Sequence, residues 1–180
     1  MDNLRYQAFG EINLDDTFFS FLKLDYKHGF IDWFESKSIK SNEKAYVLYE
    51  GNERIDGFLY LKIENGIIDD VLSPIKDGKH LKIGTFKFNP KGTLRGQRFL
   101  KKIFDNAISF GVDDIYVTVF EKHDYLIRLF KKYGFHECAL KETSNGNEIV
   151  LLKELSFDES TGDILCDYPS PSLYDHRRSF

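Results

Sequence analysis

The chain has 180 residues, 42% of them hydrophobic and 16% aromatic, which is enough for one domain built on a single core and too little for two large ones. A net charge of -4 creates no positive field over the molecule, which disfavours duplex nucleic acid as a ligand. The two cysteines, Cys138 and Cys166, have neither CxxC spacing nor the density of a secreted disulfide scaffold, so reduced thiols and a cytoplasmic location are expected.

The opening MDNLRYQAFGEINLDD is acidic and broken by polar residues, so it does not read as a signal peptide, and no apolar run reaches the ~18 residues of a membrane helix. Asp15-Asp16-Thr17 can cap a helix whose apolar face carries Phe18, Phe19, Leu22 and Tyr26. A second short helix is expected around Phe30, Trp33 and Phe34, which puts a helical part at about residues 15–37. Lys44–Tyr49 and Arg54–Ile63 read as two antiparallel strands joined by the turn EGNE. Ile67–Leu72 fits no single template, and SPIKDGK is a loop. His80–Phe88 alternates as a third long strand.

From Phe99 the apolar residues fall at 99, 100, 103, 104, 107 and 108, one stripe along a helix that leaves Lys101, Lys102 and Asp105 in water and stops at Gly111. Asp114–Phe120 is a buried-type strand. His123 or Asp124 can cap a further helix with the stripe Tyr125, Leu126, Leu129, Phe130 and Tyr133, ended by Gly134. Phe135–Lys141 and Glu148–Leu155 form a hairpin about the Asn-Gly of TSNGN. Beyond Phe157 the chain turns polar and proline-containing. The domain is thus placed at 1–157 and a C-terminal tail, a candidate partner-binding segment, at 158–180. A strand-helix-strand unit inside a mostly antiparallel sheet makes its two strands parallel neighbours by a right-handed crossover, so the fold class is α+β with a mixed sheet.

The strand LKIGTFKFNP, the loop KGTLRGQR, the helix FLKKIFDNAI, the strand DIYVTVF and the helix ending LFKKYGF together resemble the GCN5-related N-acetyltransferase (GNAT) family over about residues 44–155. The resemblance implies a GNAT-like acyl-CoA N-acyltransferase fold, with a central parallel pair and flanking helices, and acetyl-CoA as co-substrate without a metal. In that family a glycine-containing loop and the helix start after it hold the pyrophosphate of acetyl-CoA on main-chain amides. Carried onto this chain, the cofactor-binding residues are Phe86, Lys87, Phe88, Arg95, Gly96, Gln97, Arg98, Phe99, Leu100 and Phe130. The pantetheine arm would bond in β fashion near Phe86 and Phe88.

Physical chemistry supports an anion site at this place independently. Unpaired amides at a helix start, the positive end of its dipole, a nearby glycine and two arginines suit a phosphate. The chain departs from the family pattern in two respects. Arg98 and Leu100 stand where the family has small residues, and Phe130 stands four residues before Gly134 where the family has a tyrosine that protonates the departing thiolate. Phenylalanine has no proton to donate; Tyr133, one turn away, is the candidate substitute acid, with packing in the core as the alternative reading.

Attack on a thioester needs a neutral amine, so a carboxylate or histidine within reach of it is the third requirement. Glu64, Asp69, Asp70, Glu121 and His123 are the candidates, with Glu121 and His123 nearest the expected opening. The implied function is acetyl transfer to a primary amine on a small molecule, peptide or protein, with no membrane partner. A fold kept as a binding or regulatory module is the alternative. Lys101, Lys102, Lys131 and Lys132 read as solvated helix faces rather than an RNA surface.

Overall fold

The computed structural model describes residues 2–40, 42–51, 53–91 and 94–155; Cys166 and the tail expected at 158–180 lie outside them. Seven strands hydrogen-bond in one sheet of order β1-β2-β3-β4-β5-β7-β6. They are β1 Asp2–Ala8, β2 Lys44–Glu50, β3 Arg54–Asn65, β4 Lys79–Phe88, β5 Asp114–Phe120, β6 His136–Thr143 and β7 Gly146–Glu154. Four α-helices accompany them: α1 Ser20–Asp25, α2 Phe30–Ser38, α3 Leu94–Phe110 and α4 Asp124–Lys132. The mixed sheet and the order of elements match the fold class expected from the sequence. Contacts divide the chain into two compact units, Met1–Leu61 with Gly84–Asn89, and Lys62–Ile83 with Pro90–Phe180.

The first unit contains a strand that the sequence reading missed. β1 pairs antiparallel with β2 from Asp2↔Glu50 to Ala8↔Lys44. Its composition, DNLRYQA, lacks the run of β-branched and aromatic residues that marks a strand, because an edge strand with exposed side chains takes its stability from the ladder rather than from its own propensity. The helical part follows as expected. Asp16 Oδ1 accepts from the Phe18 amide at 2.8 Å, which caps a short 3-10 turn leading into α1. The core of this unit is a cluster of aromatic rings. Phe9 lies edge-on to Trp33, Phe34, Phe58 and Tyr60 at centroid distances of 5.5, 4.9, 5.9 and 5.3 Å, arrangements favoured by the ring quadrupoles.

In the second unit β4 and β5 run parallel, with His80↔Asp114, Leu81↔Ile115, Lys82↔Tyr116 and Ile83↔Val117 in register. β5 pairs along its whole length with β7, from Asp114↔Glu154 to Phe120↔Glu148. The β6–β7 hairpin turns at Ser144 and Asn145, with Thr143 opposite Gly146. Its turn is therefore one residue before the Asn-Gly pair, and Gly146 takes φ 121°. The segment with no clear template, from Gly66 to Gly78, is an excursion out of the sheet. It closes on itself through Ile68↔Ile75 and touches β6 through Leu72↔Leu140. Ile68, Val71 and Ile75 pack with Tyr116, Val150 and Leu152, so tertiary burial rather than periodicity orders this segment.

Candidate active site

The helix α3 begins at Leu94, earlier than the apolar stripe alone indicates. Arg95, Gly96, Gln97 and Arg98 therefore form its first turn instead of a loop before it. The amides that open an α-helix have no acceptor within the helix itself, so the main-chain N–H groups of Leu94–Gly96 face out of the helix start. The amides of Arg98, Phe99 and Leu100 belong to the interior ladder. Phe99, Leu100, Ile103, Phe104 and Ala107 are at most 1% exposed, and each large side chain so buried stabilises the fold by about 1.5–3 kcal/mol. Ile108, the last residue of the expected stripe, is 38% exposed.

The side chains of this turn divide. Arg95 is 2% exposed and engaged within the fold, so it is not a surface cation awaiting a phosphate. Gln97 is 8% exposed, and its Oε1 is buried with no hydrogen-bond partner among the described residues. An orphaned buried acceptor costs about 1–3 kcal/mol until something donates to it. Gln97 lines a cavity of about 320 Å³ together with Tyr125, Arg128, Leu129, Lys132 and Tyr133.

Five of those six residues lie on α4 or at its end, at spacings of 3, 1, 3 and 1, the signature of one helix face. The opposite face buries Ile127 and Phe130, at 7% and 0% exposure. Tyr125 is 47% exposed and sits on the cavity face, not in the apolar stripe where the spacing places it, and Ile127 takes the core position instead. Sequence reasoning missed Tyr125, Arg128 and Lys132 as lining because two cations inside an amphipathic pattern read as ordinary solvated positions. The signal was present in their shared face with Tyr133. Phe130 packs edge-on against Phe135 at 5.0 Å between ring centroids. Tyr133, directly after α4, is 5% exposed, and Gly134 at φ 90° reverses the chain.

The base candidates fall into different settings. The Tyr116 hydroxyl donates to Glu64, and Lys62 and Lys82 stand 3.3 and 3.7 Å from Glu64 Oε1. Burial works to raise Glu64, but Tyr116 and the two lysines hold it below the ordinary carboxylate value. The same contact and burial push the Tyr116 phenol well up. Lys141 holds Asp70 low, and Asp69 is exposed. Carboxylates so stabilised in the charged form are poor proton acceptors. Glu121, also exposed, and His123, half-buried beside the Phe120 ring at 6.2 Å, stand at the end of β5. His123 is the N-cap residue of α4, with no side-chain capping bond.

On β4, Phe86 and Phe88 are buried with ring centroids 5.4 Å apart. The half-buried Lys87 points its Nζ to the Phe18 carbonyl oxygen at 2.7 Å and over the rings of Phe18 and Phe21 at 4.6 and 5.1 Å. Burial lowers its ammonium below the ordinary lysine value.

No protein-family model matches the sequence, and no curated protein does. Solved structures match the fold across most of the chain. An IAA acetyltransferase from Bacillus cereus is 14% identical with a TM-score of 0.61, covering 86% of this chain and 100% of that one. A GNAT family acetyltransferase from Elizabethkingia anophelis with acetyl-CoA bound is 14% identical with a TM-score of 0.57, covering 86% and 98%. The N-acyl amino acid synthase FeeM from uncultured soil microbes is 12% identical with a TM-score of 0.59, covering 86% and 92%. Among the described residues, no helix is long and apolar enough to cross a membrane. The seven-stranded mixed sheet with its one parallel pair and four helices is the fold of the GNAT acetyltransferases.

Proposed function

We propose that this chain is an acetyl-CoA-dependent N-acetyltransferase that passes the acetyl group to a primary amine by direct attack. The observation that carries the reading is the cavity beside the first turn of α3 and α4, lined by Gln97, whose Oε1 is orphaned, together with Lys132 and Arg128, the latter 2.9 Å from Asp124. The helix start at Leu94–Gly96 and two cations suit the phosphates of a coenzyme, and Gln97 suits an N–H or O–H donor on the same molecule. Arg98, half-exposed on the same turn, adds a third cation. Phe86, Lys87 and Phe88 are proposed to offer β4 main chain to the pantetheine amides.

Chemically the step needs no metal and no covalent enzyme intermediate. The amine nitrogen attacks the thioester carbonyl carbon, the C–S bond breaks, the nitrogen loses a proton and the thiolate gains one. A main-chain N–H of β4 would stabilise the oxyanion while it exists. Tyr133 is assigned as the proton donor to sulfur, since Phe130 has nothing to give. Glu121 or His123 is assigned as acceptor of the amine proton, since Glu64 and Asp70 are held in their charged forms by partners. The acceptor is an amine-bearing small molecule or a peptide, and the location is cytoplasmic in this reading.

Calorimetry with acetyl-CoA tests the binding half. Arg128→Glu with Lys132→Glu weakens binding at least tenfold, whereas Lys101→Glu, on the solvated face of α3, leaves it unchanged; equal affinity in all three proteins removes the site. Release of free thiol with a panel of amines tests the chemical half. Phe130 favours a second reading, a module that binds the coenzyme without turnover, and coenzyme binding without thiol release on any amine selects it.

A further inference from the structure

His80 is wholly buried, and both of its ring nitrogens face acceptors. Nδ1 lies 2.7 Å from Asp114 Oδ1 and Nε2 lies 2.7 Å from the carbonyl oxygen of Gly66. A carbonyl can only accept, so Nε2 carries hydrogen and donates to Gly66. The remaining contact then needs one more proton, on Nδ1 as imidazolium or on the Asp114 carboxyl donating to Nδ1. A neutral imidazole against an ionised carboxylate fails in either tautomer, because one ring lone pair would face an oxygen lone pair at hydrogen-bond distance.

We propose that His80 and Asp114 share a proton that the folded chain retains at neutral pH, and that its release on the alkaline side unfastens the 66–78 excursion from β4. The fastening is local. Gly66 N donates to Gly78 O at 2.9 Å, and the same Gly66 accepts from His80, so one residue ties both ends of the excursion to the start of β4. A β-carbon on Gly78 would meet Asp113 Oδ2 at 2.8 Å and His80 Cε1 at 3.6 Å, which leaves the ring no free space in that direction.

The charged surroundings favour retention. Asp113, whose Oδ2 accepts from the Lys79 amide at 2.8 Å, raises both partners, and Glu154, opposite Asp114 on β7, raises the aspartate. Lys76 stands 3.5 Å from Glu154. The Tyr116 ring meets His80 edge-on at 6.2 Å. Burial alone would push the histidine down, but Asp114 and the Gly66 carbonyl carry it up. Burial raises Asp114 too, while the hydrogen bond and charge of His80 work to lower it, so the two groups titrate as a pair. Folding takes up this proton wherever the unfolded chain lacks it. The stability it contributes is therefore full below the ordinary histidine value of 6.5 and is lost as pH rises through the higher folded value.

Nuclear magnetic resonance on the full-length labelled chain tests this. The His80 ring and the Asp114 carboxyl are expected to lose one proton in a single step, with affinity at least tenfold above that of an ordinary histidine. The Ile68 and Ile75 amides, which bond each other's carbonyls at 3.1 and 2.9 Å, lose exchange protection through that step beyond the intrinsic rise with pH. In Asp114→Asn the histidine midpoint falls to 6.5 or below; if that variant does not fold, the wild-type titration decides. An ionised Asp114 beside a neutral His80 at pH 7 overturns the shared proton, and protection that tracks only the intrinsic rate overturns the unfastening.

Discussion

Tyr60 occupies the space that a side chain at Gly84 would need. A β-carbon on Gly84 would come within 2.7 Å of Tyr60 Cδ1 and 3.2 Å of Cε1. The ring cannot swing away freely, because its hydroxyl donates to Glu43 Oε2 at 2.9 Å and the Lys37 ammonium lies 5.2 Å from its centroid. Gly84→Ala is expected to destabilise the protein by about 1–3 kcal/mol. Adding Tyr60→Ala to it relieves the clash, so the two substitutions together cost less than the sum of their separate effects in denaturant unfolding. Strict additivity refutes the contact.

Phe9 is the hub of the aromatic cluster in the first unit, fully buried and in contact with four other rings. Phe9→Ala is expected to cost about 3–5 kcal/mol, the range for truncating a buried aromatic. Trp33, the chain's single tryptophan, packs edge-on to Phe9, so its emission reports the loss directly. A cost below about 1 kcal/mol contradicts the packing.

The contact between Tyr116 and Glu64 makes stability depend on acid. Glu64 is held below its ordinary value of 4.5, so its stabilisation is complete above that value and is lost as pH falls through the lower folded one. Glu64→Gln is expected to flatten this limb of the curve of unfolding free energy against pH. An unaltered acid limb in the variant rules the contact out as its source.

Tyr133→Phe separates a proton donor from a packing residue. If Tyr133 protonates the departing thiolate, turnover drops about 10²-fold with little change in KM or in coenzyme affinity. Unchanged turnover in Tyr133→Phe returns the tyrosine to a structural role.

Much of the site-bearing part of the chain was legible beforehand. The strands β4 and β5 and the helix α3 follow from period-2 and period-3.6 patterns strong enough to outweigh their neighbours. What escaped has specific causes. β1 lacks intrinsic strand propensity and exists through its ladder with β2. The 66–78 excursion has no period because its three buried residues, Ile68, Val71 and Ile75, face a cluster gathered from β5 and β7. The apolar stripe does not mark the true start of α3, because Arg95 and Gln97 are polar, yet both are buried.

The sequence by itself determined the element types and their order, since alternation, helical spacing and turn residues are properties of neighbours along the chain. From these the mixed sheet and the likeness to acetyltransferases could be argued. Only the tertiary structure decided which polar groups meet, Tyr116 with Glu64 and His80 with both Asp114 and Gly66, and which share a cavity, Gln97 with the cationic face of α4. The pairs at Glu64 and His80 join residues 52 and 34 positions apart. Their protonation depends on burial and on partners brought together by folding, so no local pattern encodes it.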